Sequence, residues 1–270
     1  GLAIGVTASG GAVGQGIVPY CVGLSLDAHG WQSTYIIMAG VYLAIALPLG
    51  LLVRESPWRQ RARLEGTVEE RTFPLSEIEV VVWISVAVIF CCNCMSVPIV
   101  HLVPLLTDDG FTLSSATSVL MVLMFSGAVG RITGGKLGDM IGALPTYILM
   151  SAGQTFFVFW FPHVEGMTNL YILAILFGFT YSGVMSSILV CTRMMVGANF
   201  AARAMSITSF FGWTGMGLGG FFGGKLFDIY GNYDLSFAFA SAMGVINLVI
   251  LTGFFFRIRS RRQSAEPAVA

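Results

Sequence analysis

The stretches GGKLGDMIG at 134–142 and GGKLFDIYG at 223–231 agree at six of nine positions, with Gly, Gly, Lys, Leu, Asp and Gly in register. Each closes a longer string, Gly130 to Lys136 and Gly219 to Lys225, that reads G-x-x-x-x-G-K. A phosphate-binding loop of that form needs a Ser or Thr after the lysine and a soluble strand before the glycines. Here Leu137 and Leu226 stand in the hydroxyl's place, and an apolar run precedes each copy. The nucleotide reading fails on both counts. What survives is G-x-x-x-D-x-x-G, as Gly135–Asp139–Gly142 and Gly224–Asp228–Gly231, with a third copy at Gly23–Asp27–Gly30.

The surroundings of the motif set the fold class. Hydrophobic residues make up 56% of the 270-residue chain and charged ones only 10%, against roughly 25% in an ordinary soluble domain. Mean hydropathy is +0.81. Apolar runs lie near 2–26, 31–53, 80–106, 113–135, 144–161, 169–192, 204–227 and 235–256. Each is long enough, or nearly so, to cross ~30 Å of hydrocarbon as a helix. A spanning segment must satisfy its backbone internally, and runs of this length favour helices over barrel strands. The expectation is an all-α, polytopic membrane helix bundle.

The three motif copies end the first, fourth and seventh runs. A motif every three helices implies a three-helix unit, and successive odd-numbered units enter a membrane inverted. Charge follows the same logic. If the spans alternate, one side collects thirteen of the 14 basic residues, including Arg54, Arg59, Arg61, Arg63 and Arg71 before the third run and Arg257, Arg259, Arg261 and Arg262 in the tail. By the positive-inside rule that side, with both termini, is cytoplasmic. Lys225 falls on the other side as the inverted counterpart of Lys136. The basic tail reads first as this topological signal and only secondarily as a lipid patch, and a nucleic-acid role is not expected.

Within the motif, the first glycine allows close helix approach, the aspartate suits a helix N-terminus, and the last glycine permits the turn. Together they read as a gating latch, with a well-made helix–helix turn as the plainer alternative. Cys91, Cys92 and Cys94 (CCNC) lack zinc spacing and read as packing residues, so no metal and no cofactor is expected. An integral-membrane enzyme would need a cluster of His, Cys or acids at membrane depth, which the runs do not supply.

Three-helix inverted repeats joined by a basic loop resemble the major facilitator superfamily, whose signature is G-x-x-x-D-R-x-G-R-R. Gly135, Asp139 and Gly142 match it, while Met140, Ala143 and Leu144 replace the basic residues. The resemblance implies that the runs are helices five to twelve. Residues 1–53 are then the last two helices of an N-terminal half, 54–79 an inter-half linker, 80–256 a six-helix C-terminal half and 257–270 a cytoplasmic tail. Four helices of the same protein are missing upstream, as expected of a fragment that opens at Gly1 inside an apolar run. HLVPLLTDDG (101–110) and GGFFGGKLFDIYGNYDLSFAF (219–239) look most like monocarboxylate-transporter-like members.

That resemblance makes the expected partner, besides membrane lipid, a small organic anion, moved by alternating access across a plasma (inner) membrane and driven by a proton or a counter-substrate. Arg131 matches the arginine that binds the substrate carboxylate in those relatives. Animal members place an acid four residues earlier, where this chain has Gly127, so proton coupling lacks that group. Gln15, Asn93, His101, Tyr181 and Trp213 are the further candidates for substrate binding. Arg131 has an alternative as a latch-supporting arginine, His101 as a helix-end hydrogen-bond partner, and the others as helix bridges. Carriage of a neutral solute, or a truncated chain that transports nothing, are the alternative functions.

Overall fold

The computed structural model describes residues 1–52 and 73–265, the side chains of Asp27 and Ala265 excepted. Residue 53 and most of the expected linker, residues 54–72, lie outside the described residues. The chain forms α1 (Leu2–Leu52), α2 (Glu77–Asp108), α3 (Leu113–Ile141), α4 (Ala143–Val158), α5 (Met167–Met194), α6 (Ala198–Tyr230) and α7 (Asp234–Ala265). A short 3-10 turn at Phe161–His163 follows α4. α1 is broken at Gly30 (φ 73°, ψ 171°) into two limbs, Leu2–Leu26 and Ala28–Leu52, each apolar enough to span a membrane. α2, α3, α5 and α7 also reach that length and hydropathy. α4, with 16 residues, is about 24 Å long at ~1.5 Å per residue. α6 has 33 residues, but glycines dilute its hydropathy. α7 continues through Ala265, so the expected tail begins as helix. The result is an all-α membrane bundle and an integral multi-pass protein.

Local sequence sets the helix ends. Ser76 caps α2, its hydroxyl accepting from Glu79 N–H at 3.2 Å, in the S-x-x-E arrangement of a capping box. Thr112 caps α3 by accepting from Ser115 N–H at 3.2 Å. The last glycine of all three motif copies has positive φ: Gly30, Gly142 (97°) and Gly231 (72°). Only glycine takes up such angles readily. Gly30 and Gly231 lie at one end of the bundle and Gly142 at the other, as an inverted repeat requires.

Helices in lipid gain no hydrophobic drive toward one another, so contact depends on close packing of small residues. On α3, a Cβ at Gly130 would collide with the Phe179 carbonyl of α5, and one at Gly134 would press on Gly183. On α6, Gly219 meets the Asn93 backbone of α2 and Gly223 meets His101 and Val97. Gly130 and Gly219, like Gly134 and Gly223, hold the same place relative to their motif copies. Their contacts, Phe179 with Asn93 and Gly183 with Val97, are separated by the same interval on the partner helices. The α3–α5 and α2–α6 seams are therefore one packing arrangement used twice, which is the inverted repeat expressed as contacts.

Between the seams the core is partly polar. Gln154 Nε2 donates to Cys91 Sγ (3.3 Å), and Asn247 Nδ2 donates to Ser151 Oγ (3.0 Å), tying α2, α4 and α7 together. The Cys91, Cys92 and Cys94 thiols are all buried. At the bundle end opposite Gly231, Glu77 accepts from Gly197 N–H at the start of α6 (2.8 Å) and Glu79 pairs with Arg257 of α7 (3.0 Å).

Gly130→Ala should lower the thermal stability of the purified protein by the equivalent of about 1–3 kcal/mol, the usual cost of overpacking. Gly217→Ala, where a Cβ meets nothing within 4 Å, should be neutral or slightly stabilising. Detergent melting curves of the two variants check this.

Candidate binding cavity

A cavity of about 700 Å³ opens between the first limb of α1 and helices α2, α3, α5 and α6, with Tyr42 of the second limb at its edge. Among the described residues, its one charged lining residue is Arg131. α3 delivers this side chain because the neighbouring Gly130 locks that helix against α5, which turns Arg131 toward α1. There Nη1 donates to the Ala8 carbonyl (2.5 Å) and Nη2 reaches Gln15 Oε1 (3.4 Å). Ala8 and Gln15 are seven residues apart, hence on one face of their helix. Arg131 is only 6% exposed, its Nε has no acceptor, and no carboxylate among the described residues pairs with it. Tyr181, buried in α5 and stacked on Phe177 with rings 5.9 Å apart, stands beside the guanidinium.

The rest of the wall is mainly apolar. Met124, Met185 and Met216 face the cavity with Leu120, Ile188 and Val88, and Trp213 of α6 lies at the rim, 71% exposed. Thr208 also lines it, its buried hydroxyl without a partner. Such a site, an apolar chamber with a few convergent polar groups, is the usual form of a small-molecule pocket.

Of the six residues expected to bind substrate, the structure gathers Gln15, Arg131, Tyr181 and Trp213 around this cavity. Asn93 and His101 stand elsewhere. The Asn93 backbone packs on Gly219, and its side-chain oxygen is buried without a partner. His101 Nε2 lies 2.9 Å from the Gly220 carbonyl, and its ring sits 5.6 Å from that of Tyr233, so it joins α2 to α6 near the Gly231 end. Residues missed from sequence, Thr208, Met185 and Met216, carried a usable signal. Thr208, Gly212, Trp213 and Met216 form one helical face, as do Tyr181, Met185 and Ile188.

The place four residues before Arg131 is filled. A Cβ at Gly127 would collide with Ser182 Oγ of α5, so an acid side chain there would require Ser182 to move.

The motif aspartates differ from one another. Asp139 lies in the last turn of α3. Rather than capping α4, whose N-cap Gly142 provides no side-chain bond, it reaches across to α1. Its Oδ2 accepts from Leu2 N–H (2.8 Å) and its Oδ1 lies 2.7 Å from the Gly1 nitrogen. The backbones close in at the same point, where Gly135 abuts Gly1 and Gly5. Gly224 has only ordinary contact with His101, and the tight approach in that copy falls on Gly223. Asp228 is exposed near Tyr233. The Asp27 side chain lies outside the described residues.

Residues 1–212 match the family model described as Major Facilitator Superfamily. The chain belongs to the major facilitator superfamily. It is a family of membrane carriers, not of enzymes. The chain is 31% identical over 166 residues to monocarboxylate transporter 13 of Rattus norvegicus, covering 59% of this chain and 38% of that protein. The Bos taurus protein of that name is 30% identical over 164 residues, with the same coverage. Riboflavin transporter MCH5 of Saccharomyces cerevisiae is 31% identical over 87 residues, covering 32% of this chain and 17% of that protein. The chain thus spans well under two thirds of the length of these curated relatives.

In this chain Asp139→Asn should cost about 1 kcal/mol of stability, the usual net worth of a hydrogen bond, through the bond it accepts from Leu2 N–H. Asp228→Asn should cost less, since its carboxylate makes no hydrogen bond among the described residues. Paired thermal-unfolding measurements compare them.

Proposed function

We propose that the protein is a secondary carrier that moves a small organic anion, of the monocarboxylate type, by alternating access. The supporting observation is Arg131: a buried guanidinium on a cavity wall, with a free Nε and no acid partner among the described residues. A charge at membrane depth costs about 2.5–3.5 kcal/mol even on permissive insertion scales. A carboxylate ligand offsets that cost by supplying the missing counter-charge, and the planar fork of Arg grips it with two hydrogen bonds. Gln15 and Tyr181 orient the fork, and the methionine-lined wall receives the rest of the solute. The relatives named as monocarboxylate transporters point to the same substrate class.

On this reading residues 1–53 belong to an N-terminal half, 54–79 link the halves, and 80–256 form the C-terminal half, in a plasma (inner) membrane with residues 1 and 257–270 on the cytoplasmic side. Proton coupling would use groups other than position 127. The relative named as a riboflavin transporter favours a second reading, a larger neutral solute held by the apolar wall, with Arg131 serving to tie α3 to α1.

Arg131→Ala in the whole protein should reduce uptake of labelled organic anions into proteoliposomes about 100-fold or more, the loss expected when paired charge-assisted bonds vanish. Arg131→Lys, which keeps the charge without the fork, should recover part of it. Unchanged uptake by Arg131→Ala removes the anion-binding role and favours the second reading.

A further inference from the structure

A second cavity, of about 430 Å³, opens where the start of α4 meets the ends of α5 and α7. α7 lines it with Phe255, Ile258, Arg259 and Arg262, one stripe at helical spacing. The stripe changes character along its length: the two apolar residues lie toward the bundle and the two arginines toward the helix end. Leu144 and Met194 continue the apolar wall on the other helices. Arg257, on the same helix, is paired with Glu79 (3.0 Å), but neither Arg259 nor Arg262 has a carboxylate partner among the described residues. α4 also begins here without a side-chain cap, which leaves its first N–H groups without a side-chain acceptor.

We propose that this cavity binds an anionic phospholipid, its phosphate between Arg259 and Arg262 and the upper part of an acyl chain against Phe255, Ile258 and Met194. The order of the stripe selects a lipid over a free anion. A soluble phosphate needs the arginines alone, whereas the apolar half of the cavity matches the layer just below a headgroup. Basic pockets between membrane helices bind acidic headgroups by this combination of charge and apolar wall. The site lies within the C-terminal helices and is independent of the carrier reading.

The test uses the whole purified protein taken from bilayers of mixed phosphatidylcholine and phosphatidylglycerol, with retained lipid measured by native mass spectrometry. The unaltered protein should retain phosphatidylglycerol in excess of its share of the bilayer. R259Q/R262Q should lose that preference by about 30-fold, at roughly fivefold per basic residue. R193Q/R261Q removes the same charge from the same end without touching the cavity and should keep the preference. Lipid retained in the bulk ratio by the unaltered protein, a measurement that needs no variant to fold, would overturn the proposal. Equal losses in the two double variants would also overturn it, by assigning the effect to the general field. Displacement by millimolar inorganic phosphate as complete as by added phosphatidylglycerol would make it a soluble-anion site instead.

Discussion

Contact between helix backbones at glycine is the constraint on which the rest of the molecule depends. Lipid gives helices no reason to associate through apolar side chains, so their rotation is fixed where small residues let them touch. Gly130 against the Phe179 carbonyl and Gly219 against Asn93 fix α3 and α6 in equivalent ways. Once Gly130 faces α5, the next residue must point away, toward α1 and the cavity. The position of Arg131 on the cavity wall is thus a consequence of a packing seam.

The electrostatics follow the same division. Near the helix ends, carboxylates meet backbone N–H groups or arginines: Asp139 at Leu2, Glu77 at Gly197, Glu79 at Arg257. These pairs hold the bundle at its boundary, where water lowers the cost of charge. Deeper in, the acceptors of Arg131 among the described residues are neutral, the Ala8 carbonyl and Gln15. Neutral acceptors satisfy its hydrogen bonds without cancelling its charge. On the proposed function, a ligand of opposite sign would complete what these neutral acceptors leave open.

Much of this was legible in the sequence because membrane helices announce themselves by length and the repeat by its spacing. The three turn glycines were read as turns and all take positive φ. Of the six residues the sequence offers for substrate binding, Gln15, Arg131, Tyr181 and Trp213 line one cavity. The partner of Asp139 was not legible, since its contact with Leu2 joins residues 137 positions apart. A local reading placed that charge on the following helix. Asn93 and His101 were misleading for a related reason: a polar side chain at membrane depth faces either a cavity or a neighbouring helix, and periodicity does not distinguish them. Met185 and Met216 are told from core only by their shared helical face with Tyr181 and Trp213, since apolar wall and apolar core have the same composition.

The most direct measurement compares equilibrium binding of an organic carboxylate and of its primary amide to the whole purified protein by calorimetry. The two ligands share size and shape and differ in charge. If the counter-charge of Arg131 is what the cavity lacks, the carboxylate binds and the amide does not. Equal binding of both, or binding of the amide alone, would contradict the account.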